Sequence, residues 1–146
     1  MRVPRRVVNG GFKALNLFHR SVLRVSGARL GSSAFGMRIV ELHTIGRKSG
    51  RERTVLLAAP VTEGEIFVLV ASKGGDDNNP DWFENLLVHP DVAVTFGRTR
   101  RNVHARVASE AEAADLWPRV VAAYRPYASY RQRAKREIPL VICEPR

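Results

Sequence analysis

The sequence predicts an α+β fold, mainly β, in the form of a closed or split β-barrel. Short segments rich in β-branched and aromatic residues recur along the chain, glycine-containing turns separate several of them, and only two short helices are predicted among them. At 146 residues the chain fits one domain that buries a core without disulfides or a metal. Its single cysteine, Cys143, excludes an internal disulfide, which favours a reduced, cytoplasmic protein.

Residues 1 to 36 are predicted to form a basic amphipathic helix followed by a polar loop. Apolar residues recur there at spacings of three and four, the period of a helix: Val8, Phe12, Leu15, Phe18, Val22 and Val25. Cationic residues interrupt every apolar run, which argues against an export signal or a membrane span. A helix of this kind suits peripheral contact with anionic lipid. The alternative is that its apolar stripe packs on the barrel or on a second subunit of a homodimer.

Residues 37 to 146 are predicted to form the barrel itself. Strands are predicted at residues 38 to 45, 54 to 61, 66 to 72, 91 to 96, 102 to 107 and 140 to 143. The segments T-E-G-E and G-R-T-R are typical of hairpin turns. One helix is predicted from about Pro80 to Val88, and a second from the capping box Ser109-x-x-Glu112 to about Tyr124, before Pro126.

Charge narrows the class of partner. Lys and Arg total 24 against 14 Asp and Glu, a net charge of +10, which favours nucleic acid, phosphorylated cofactors, polycarboxylates or anionic lipid. The four histidines lack metal-ligand spacing, and the sequence has no nucleophile elbow or P-loop, so no metal is expected. An enzyme with this sequence would therefore take its reactive atom from a bound cofactor.

The segment G-R-K-S-G-R-E-R, residues 46 to 53, is the first candidate site. Its four cations are suited to phosphate or carboxylate groups, although a solvated hairpin turn explains them equally well. The second candidate is S-K-G-G at residues 72 to 75, just before a helix N-terminus, where an anion would be favoured. Trp82 and Phe83 follow it, either as walls for a flat ring or as core aromatics.

A third candidate is the row of Tyr124, Tyr127 and Tyr130, spaced three residues apart. Three such side chains would form an apolar lid that also donates hydrogen bonds, although surface packing explains them as well. Together the three segments resemble the deazaflavin-dependent nitroreductase family. The matching motifs are T-x-G-R-K-S-G-x-x-R (44 to 53), A-S-K-G-G (71 to 75), P-x-W-F-x-N-L (80 to 86), W-P (117 to 118), the tyrosine row and I-P-x-V-x-C-E-P (138 to 145).

This resemblance implies an FMN-binding-like split β-barrel that binds coenzyme F420 and transfers hydride to a quinone, nitroaromatic or other electron-poor acceptor. It implies a catalytic set of Ser72, Tyr124, Tyr127 and Tyr130. It also implies a cofactor-binding set of Arg47, Lys48, Ser49, Arg53, Thr54, Val55, Leu56, Leu57, Ala58, Val70, Ala71, Ser72, Lys73, Asp81, Trp82, Phe83, Glu84, Asn85 and Tyr127. Ala58 stands where the best-known relatives carry an aromatic residue, so reduction of nitro drugs does not follow from the resemblance.

Two alternatives remain at this point. FMN is the alternative cofactor because related split barrels bind it, although the extra carboxylates of F420 suit an arginine-rich chain better. A non-enzymatic nucleic-acid-binding barrel is the alternative class. The aromatic residues cluster instead of alternating along strands, so no nucleic-acid partner is expected. The protein is expected in the cytoplasm or peripherally on the inner face of the membrane.

Overall fold

The computed structural model describes residues 33 to 34 and 36 to 146. The predicted helix at residues 8 to 25 lies outside them. The described strands are β1 (Ser33–Ala34), β2 (Met37–Ile45), β3 (Glu52–Ala59), β4 (Val61–Glu63), β5 (Ile66–Val70), β6 (Asp91–Phe96), β7 (Thr99–Val107) and β8 (Leu140–Pro145). The helices are α1 (Asp81–Val88), α2 (Glu110–Ala123) and α3 (Pro126–Arg133), with a 3₁₀ turn at Lys73–Gly75.

The strands form one antiparallel sheet that is open between β3 and β5. The strand order is β1-β2-β6-β7-β8-β5-β4, and β3 pairs with β2 outside this path. The β2–β3 ladder runs from Arg38 paired with Ala59 to Ile45 paired with Glu52. Strands β3 and β5 lie close to each other, yet no ladder joins them in the described part of the chain. The predicted split β-barrel is confirmed, and within the described part of the chain β2 is the strand that forms a ladder with β3.

Side chains that alternate along the strands build two apolar layers. The inner layer fills the barrel and receives Trp82, Phe83 and Leu86 from α1. The outer layer lies under α2 and α3, which contribute Trp117 and Tyr127 among others. Burying a large apolar side chain contributes roughly 1.5–3 kcal/mol, so both layers stabilise the sheet. Among the described residues no helix is long and apolar enough to cross a membrane.

The capping box that predicted the start of α2 is confirmed. The Ser109 hydroxyl accepts a hydrogen bond from the Glu112 amide at 3.1 Å, and the Glu112 carboxylate accepts one from the Ser109 amide at 2.8 Å. Each satisfies an N–H group that the helix itself leaves without a partner.

Other predicted boundaries are wrong, for reasons of hydrogen bonding. The strand predicted at residues 54 to 61 breaks at Pro60, which has no N–H for the ladder and separates β3 from β4. The strand predicted to reach residue 72 ends at Val70. Two helices are predicted in residues 37 to 146, and the structure has a third one there, α3. Pro126 does not end the helical region, because it occupies the first turn of α3, where its missing N–H costs nothing.

Candidate functional site

Two predicted anion-binding segments lie at the same end of the barrel. Strand direction alternates from β2 through β6, β7 and β8 to β5, so β2 and β5 run the same way and β3 runs the opposite way. The ends of β2 and β5 therefore lie at the same end as the start of β3. Residues 46 to 53, here called the basic loop, comprise the connection from β2 to β3 and the first two residues of β3. Residues 72 to 75, here called the Ser72 turn, follow β5. They flank the gap between β3 and β5, which we call the cleft.

Arg47 fixes the basic loop to helix α1. Its Nη1 donates to Asn85 Oδ1 at 2.8 Å, and its Nη2 lies 3.3 Å from the Asp81 carboxylate. The Arg47 amide donates to the same Asn85 oxygen at 3.1 Å, and Asn85 Nδ2 donates to Thr44 Oγ1 at 3.3 Å. Three predicted cofactor-binding residues, Arg47, Asp81 and Asn85, thus bind one another. The side chain of Arg47 holds the loop in place.

The other cations of the basic loop are free of carboxylate partners. Lys48 and Arg51 are exposed, and Arg53 is half-buried beside Gly46. Within the described residues no carboxylate lies within 4 Å of any of the three. The Ser49 hydroxyl accepts a hydrogen bond from the Arg51 amide at 3.1 Å and so shapes the loop. The result is a cationic surface at the mouth of the cleft.

The Ser72 turn has an unusual backbone that packs against α3. Lys73 has φ +48°, and Gly74 and Gly75 follow at +65° and +87°, so three successive residues are left-handed. A non-glycine residue in this region costs free energy and persists only where its surroundings enforce it. A Cβ on Gly75 would lie 3.1 Å from the Cα of Tyr130 and 3.2 Å from its carbonyl oxygen. The turn therefore rests directly on the backbone of the helix that carries Tyr127 and Tyr130.

The three predicted tyrosines form one continuous row. The rings of Tyr124 and Tyr127 meet edge to face at 5.3 Å, and those of Tyr127 and Tyr130 at 5.9 Å. Tyr127 is buried, and this burial raises its pKa, with smaller contributions from Tyr130 and Tyr124. Burial also raises the pKa of Tyr130, with Tyr124 adding to the effect. A side-chain hydrogen bond with Tyr124 also raises the Tyr130 pKa, and the phenols of Tyr127 and Tyr130 are protonated at neutral pH.

The predicted strand residues divide between the two apolar layers. Val55, Leu57 and Ala71 lie in or against the inner layer, whereas Leu56, Ala58, Val70 and Tyr127 share the outer layer. Thr54 is exposed and lies 3.0 Å from His43 Nδ1 through its hydroxyl. Since the side chains of residues 55 to 58 lie in or against these layers, the part of this stretch that faces the cleft is its backbone edge. The structure thus brings Ala58 and the tyrosine row into one layer beside that edge.

The side chains of Trp82 and Phe83 lie in the core. Both are buried in the inner layer and contact each other edge to face at 6.4 Å. Glu84 accepts a hydrogen bond from Asn79 Nδ2 at 3.3 Å. Among the described residues, Trp82 Nε1 is the one buried side-chain polar atom without a hydrogen-bond partner. That these residues enclose a ring system stays a prediction, and the Trp82 N–H is the group available for it.

Arg136 also binds the Ser72 turn, although no sequence pattern indicated a role for it. Its guanidinium donates to Asp76 O at 2.9 Å, to Asn79 Oδ1 at 2.7 Å, and to the carbonyls of Ala71 and Ser72 at 3.1 Å each. These four acceptors lie 57 to 65 residues away in the chain. No local pattern of residue types could therefore have found it.

Comparison with known proteins identifies a family. The family model described as F420H(2)-dependent quinone reductase matches residues 17–145. The F420H(2)-dependent quinone reductase of Mycobacterium tuberculosis (strain H37Rv) is 35% identical over 137 residues, which cover 90% of each chain. A solved structure of an F420-H2 dependent reductase is 39% identical and superposes with a TM-score of 0.66, covering 73% of this chain and 93% of the other. Another, described as a domain-swapped dimer, is 32% identical with a TM-score of 0.67, covering 90% of this chain and 99% of the other.

Proposed function

The chain belongs to the F420H(2)-dependent quinone reductase family, with coenzyme F420 as its cofactor, and we propose that it uses the reduced coenzyme to reduce a quinone. The observation that carries this proposal is the cleft between β3 and β5. On one side lie loop cations without carboxylate partners, and beside it lies a row of tyrosines that includes a buried phenol. This arrangement suits a polyanionic cofactor and an acceptor that needs a proton.

The residues present fit the coenzyme. F420 carries a phosphate and glutamate carboxylates, and Lys48, Ser49, Arg53 and Lys73 offer cations and a hydroxyl at the cleft mouth. The edge of β3 that faces the cleft would lie beside the deazaflavin, and the unpartnered Trp82 Nε1 is one donor available to it. We therefore assign the tail to the basic loop and Lys73, and the ring to the edge of β3.

The chain's own part in the reaction is to position the acceptor and to supply a proton. Reduced coenzyme F420, when bound, supplies a hydride. A quinone that gains a hydride and one proton becomes a hydroquinone, so a proton donor is needed at the quinone oxygen. Tyr127 and Tyr130 are the candidates because their protonated phenols lie in the row beside the cleft, and the raised pKa makes each a weaker acid than a free tyrosine. The buried hydroxyl of Ser72 is a further hydrogen-bond donor, and positioning and electrostatics would supply the acceleration.

Mixing purified protein with reduced F420 and menadione tests the proposal. We expect the visible absorbance of oxidised F420 to return faster than in a protein-free blank. A Tyr127→Phe, Tyr130→Phe variant should lower kcat about 100-fold while F420 affinity changes little, since general acid catalysis contributes about 10²–10⁴-fold. Oxidation no faster than the blank would remove the proposal. Titration with FMN under the same conditions tests the alternative cofactor, which tight FMN binding without F420 binding would favour.

Reduction of nitroaromatics is a finer proposal that rests on Ala58. This small side chain lies in the outer layer with Tyr127, where a large ring would occupy space beside the row. We infer that the acceptor pocket is wide at this position, so that reduction of nitroaromatics does not follow from reduction of quinones and is tested separately. Ala58→Tyr should change the ratio of nitrobenzoate to menadione turnover without changing F420 affinity. An unchanged ratio would place Ala58 outside the acceptor pocket.

Peripheral membrane contact is proposed for residues 8 to 25, on their sequence pattern. A basic amphipathic segment suits anionic lipid and would place a reductase near lipid-soluble quinones. Co-sedimentation with anionic vesicles compares the full chain with a variant lacking residues 1 to 30. We expect the full chain to pellet more, and equal pelleting would end this proposal.

A homodimer is proposed on a separate ground. The relative described as a domain-swapped dimer covers 90% of this chain at 32% identity. Light scattering should give about twice the chain mass of 16.3 kDa. A mass equal to one chain would contradict it.

A further inference from the structure

We propose that Arg136 is a positioning residue for the cofactor site, which holds the Ser72 turn in the backbone conformation that sets Lys73 beside the cleft. The inference rests on the proposed F420 site and adds a residue that does not touch the ligand. Arg136 lies between α3 and β8, in the segment that leads from the tyrosine row back into the sheet.

The contacts of Arg136 close the turn from both sides. One nitrogen, Nη2, binds the carbonyls of Ala71 and Ser72, the last residues before the left-handed stretch. Another, Nε, binds the carbonyl of Asp76, the first residue after it. A single planar group thus joins the two ends of the turn. The guanidinium is suited to this because its donors are held in a fixed fork.

The hydrogen bonds from Arg136 matter because the backbone of the Ser72 turn is strained. Lys73 at φ +48° is the one non-glycine residue with positive φ among those described. Inside the turn, the Gly75 amide bonds to Ser72 O at 2.9 Å and the Asp76 amide bonds to Lys73 O at 3.1 Å. Arg133 adds a bond from Nη2 to Gly74 O at 3.1 Å. Four carbonyls of residues 71 to 76 therefore accept from two arginines, which fixes the peptide planes around Lys73.

Arg136 stays charged at neutral pH, so its hydrogen bonds to the Ser72 turn persist. Burial lowers its pKa, and the nearby carboxylates of Asp76 and Asp77 oppose this effect. The ordinary pKa of arginine is so high that the group stays charged at neutral pH. Asp77 also accepts from the Lys135 amide at 3.1 Å, which ties the same two segments together beside Arg136.

Two variants test the role of Arg136 on F420 binding. Arg136→Ala removes the fastening, and Arg136→Lys keeps the charge but has a compact ammonium that cannot bridge both ends. We expect the Kd for F420 to rise about tenfold for Arg136→Ala and less for Arg136→Lys. Arg106→Ala is the matched control, because Arg106 is likewise an arginine with several side-chain hydrogen bonds, three in its case, but lies on β7, away from the cleft. Its Kd should match the wild type.

A double-mutant cycle separates positioning from a general loss of stability. If Arg136 acts through Lys73, its removal matters less once Lys73→Ala has removed the ammonium. We expect each single change to raise Kd about tenfold, and the double variant about 20-fold instead of the 100-fold product. An effect that equals the product within twofold would overturn the inference.

Hydrogen exchange of the protein without cofactor provides a second, independent measurement. Arg136→Lys should speed exchange at the Gly75 and Asp76 amides while exchange in β6 and β7 stays unchanged. Unchanged exchange at these two amides would also overturn the inference. Failure of the wild type to bind F420 would instead remove the proposed function, and the exchange result would still report whether Arg136 fastens the turn.

Discussion

Cations along β7 and cations of the basic loop carry the same charge but have opposite surroundings. Arg100, Arg101 and Arg106 on β7 lie 2.6 to 3.1 Å from glutamate oxygens. Arg106 reaches two of them, Glu112 and Glu144, at 2.8 and 3.1 Å. Lys48 and Arg53 in the basic loop have no such partner among the described residues.

The difference separates stabilising charge from binding charge. An arginine bonded to two carboxylates has its charge balanced within the fold and stabilises it. The hydrogen bond from Arg106 lowers the Glu112 pKa to about 2, and the hydrogen bond from the Ser109 amide adds to this effect. A cation without a partner contributes little to folding, and mutual repulsion opposes it. Its charge remains available to an anionic ligand, and this is the property expected of a cofactor site.

The strongest test removes the unpaired cations. Lys48→Ala combined with Arg53→Ala should raise the Kd for F420 on the order of 30- to 100-fold, because hydrogen bonds to charged groups contribute roughly 1.5–3 kcal/mol. Thermal unfolding should change by less than about 2 °C, since surface substitutions have small effects. Fluorescence titration and a thermal melt measure the two quantities. A large loss of stability with unchanged affinity would reverse the comparison.

Salt provides a smaller test of the same contrast. Raising KCl from 50 to 500 mM should weaken F420 binding to the wild type about fivefold to tenfold, because salt screens exposed charges. The same change should weaken binding to the double variant about twofold, since fewer cations remain to be screened. Equal salt dependence of the two proteins would mean that other groups hold the anionic tail.

Removing a paired arginine should have the opposite effects, with lower stability and unchanged F420 affinity. Arg106→Ala takes away three hydrogen bonds to Glu112 and Glu144. We expect the unfolding temperature to fall by roughly 3–5 °C, which corresponds to about 1 kcal/mol in a domain of this size. The Kd for F420 should stay within twofold of the wild type. A substantial loss of F420 affinity at a temperature where the variant is fully folded would contradict the separation of roles.

The smallest expected effect is the pH dependence of the Glu112 interaction. The folded pKa of Glu112 is about 2, below its ordinary value of 4.5, so the interaction stabilises fully above pH 4.5 and is lost as pH falls towards 2. Glu112→Gln keeps a group able to cap α2 but has no carboxylate to protonate. Between pH 6 and pH 3 the wild type should lose more unfolding temperature than this variant. Parallel melting curves would show that the pair adds nothing to stability.

The sequence predicted the barrel and the segments of the proposed site, but not that they lie at one end of the barrel or how they are held together. Strand patterns, hairpin turns and the Ser109 capping box are local signals, and these elements were found. The third helix was missed because Pro126 is compatible both with the end of one helix and with the first turn of the next. Arg47 was expected to hold the anionic tail, yet its side chain binds Asp81 and Asn85. The burial of Trp82 in the core likewise depends on packing between distant segments.

Position 75 sets a limit on how this scaffold can be redesigned. Because a Cβ at Gly75 would lie 3.1 Å from Tyr130 Cα, the Ser72 turn and the helix that carries the tyrosines pack together with no room for a side chain between them. Tyr124, Ala58 and the loop cations lie outside this contact, so a protein engineer can exchange them one at a time. A side chain at residue 75 would displace the tyrosine row and the lysine turn together. Libraries aimed at new acceptors should therefore vary the residues around this glycine and keep the glycine itself.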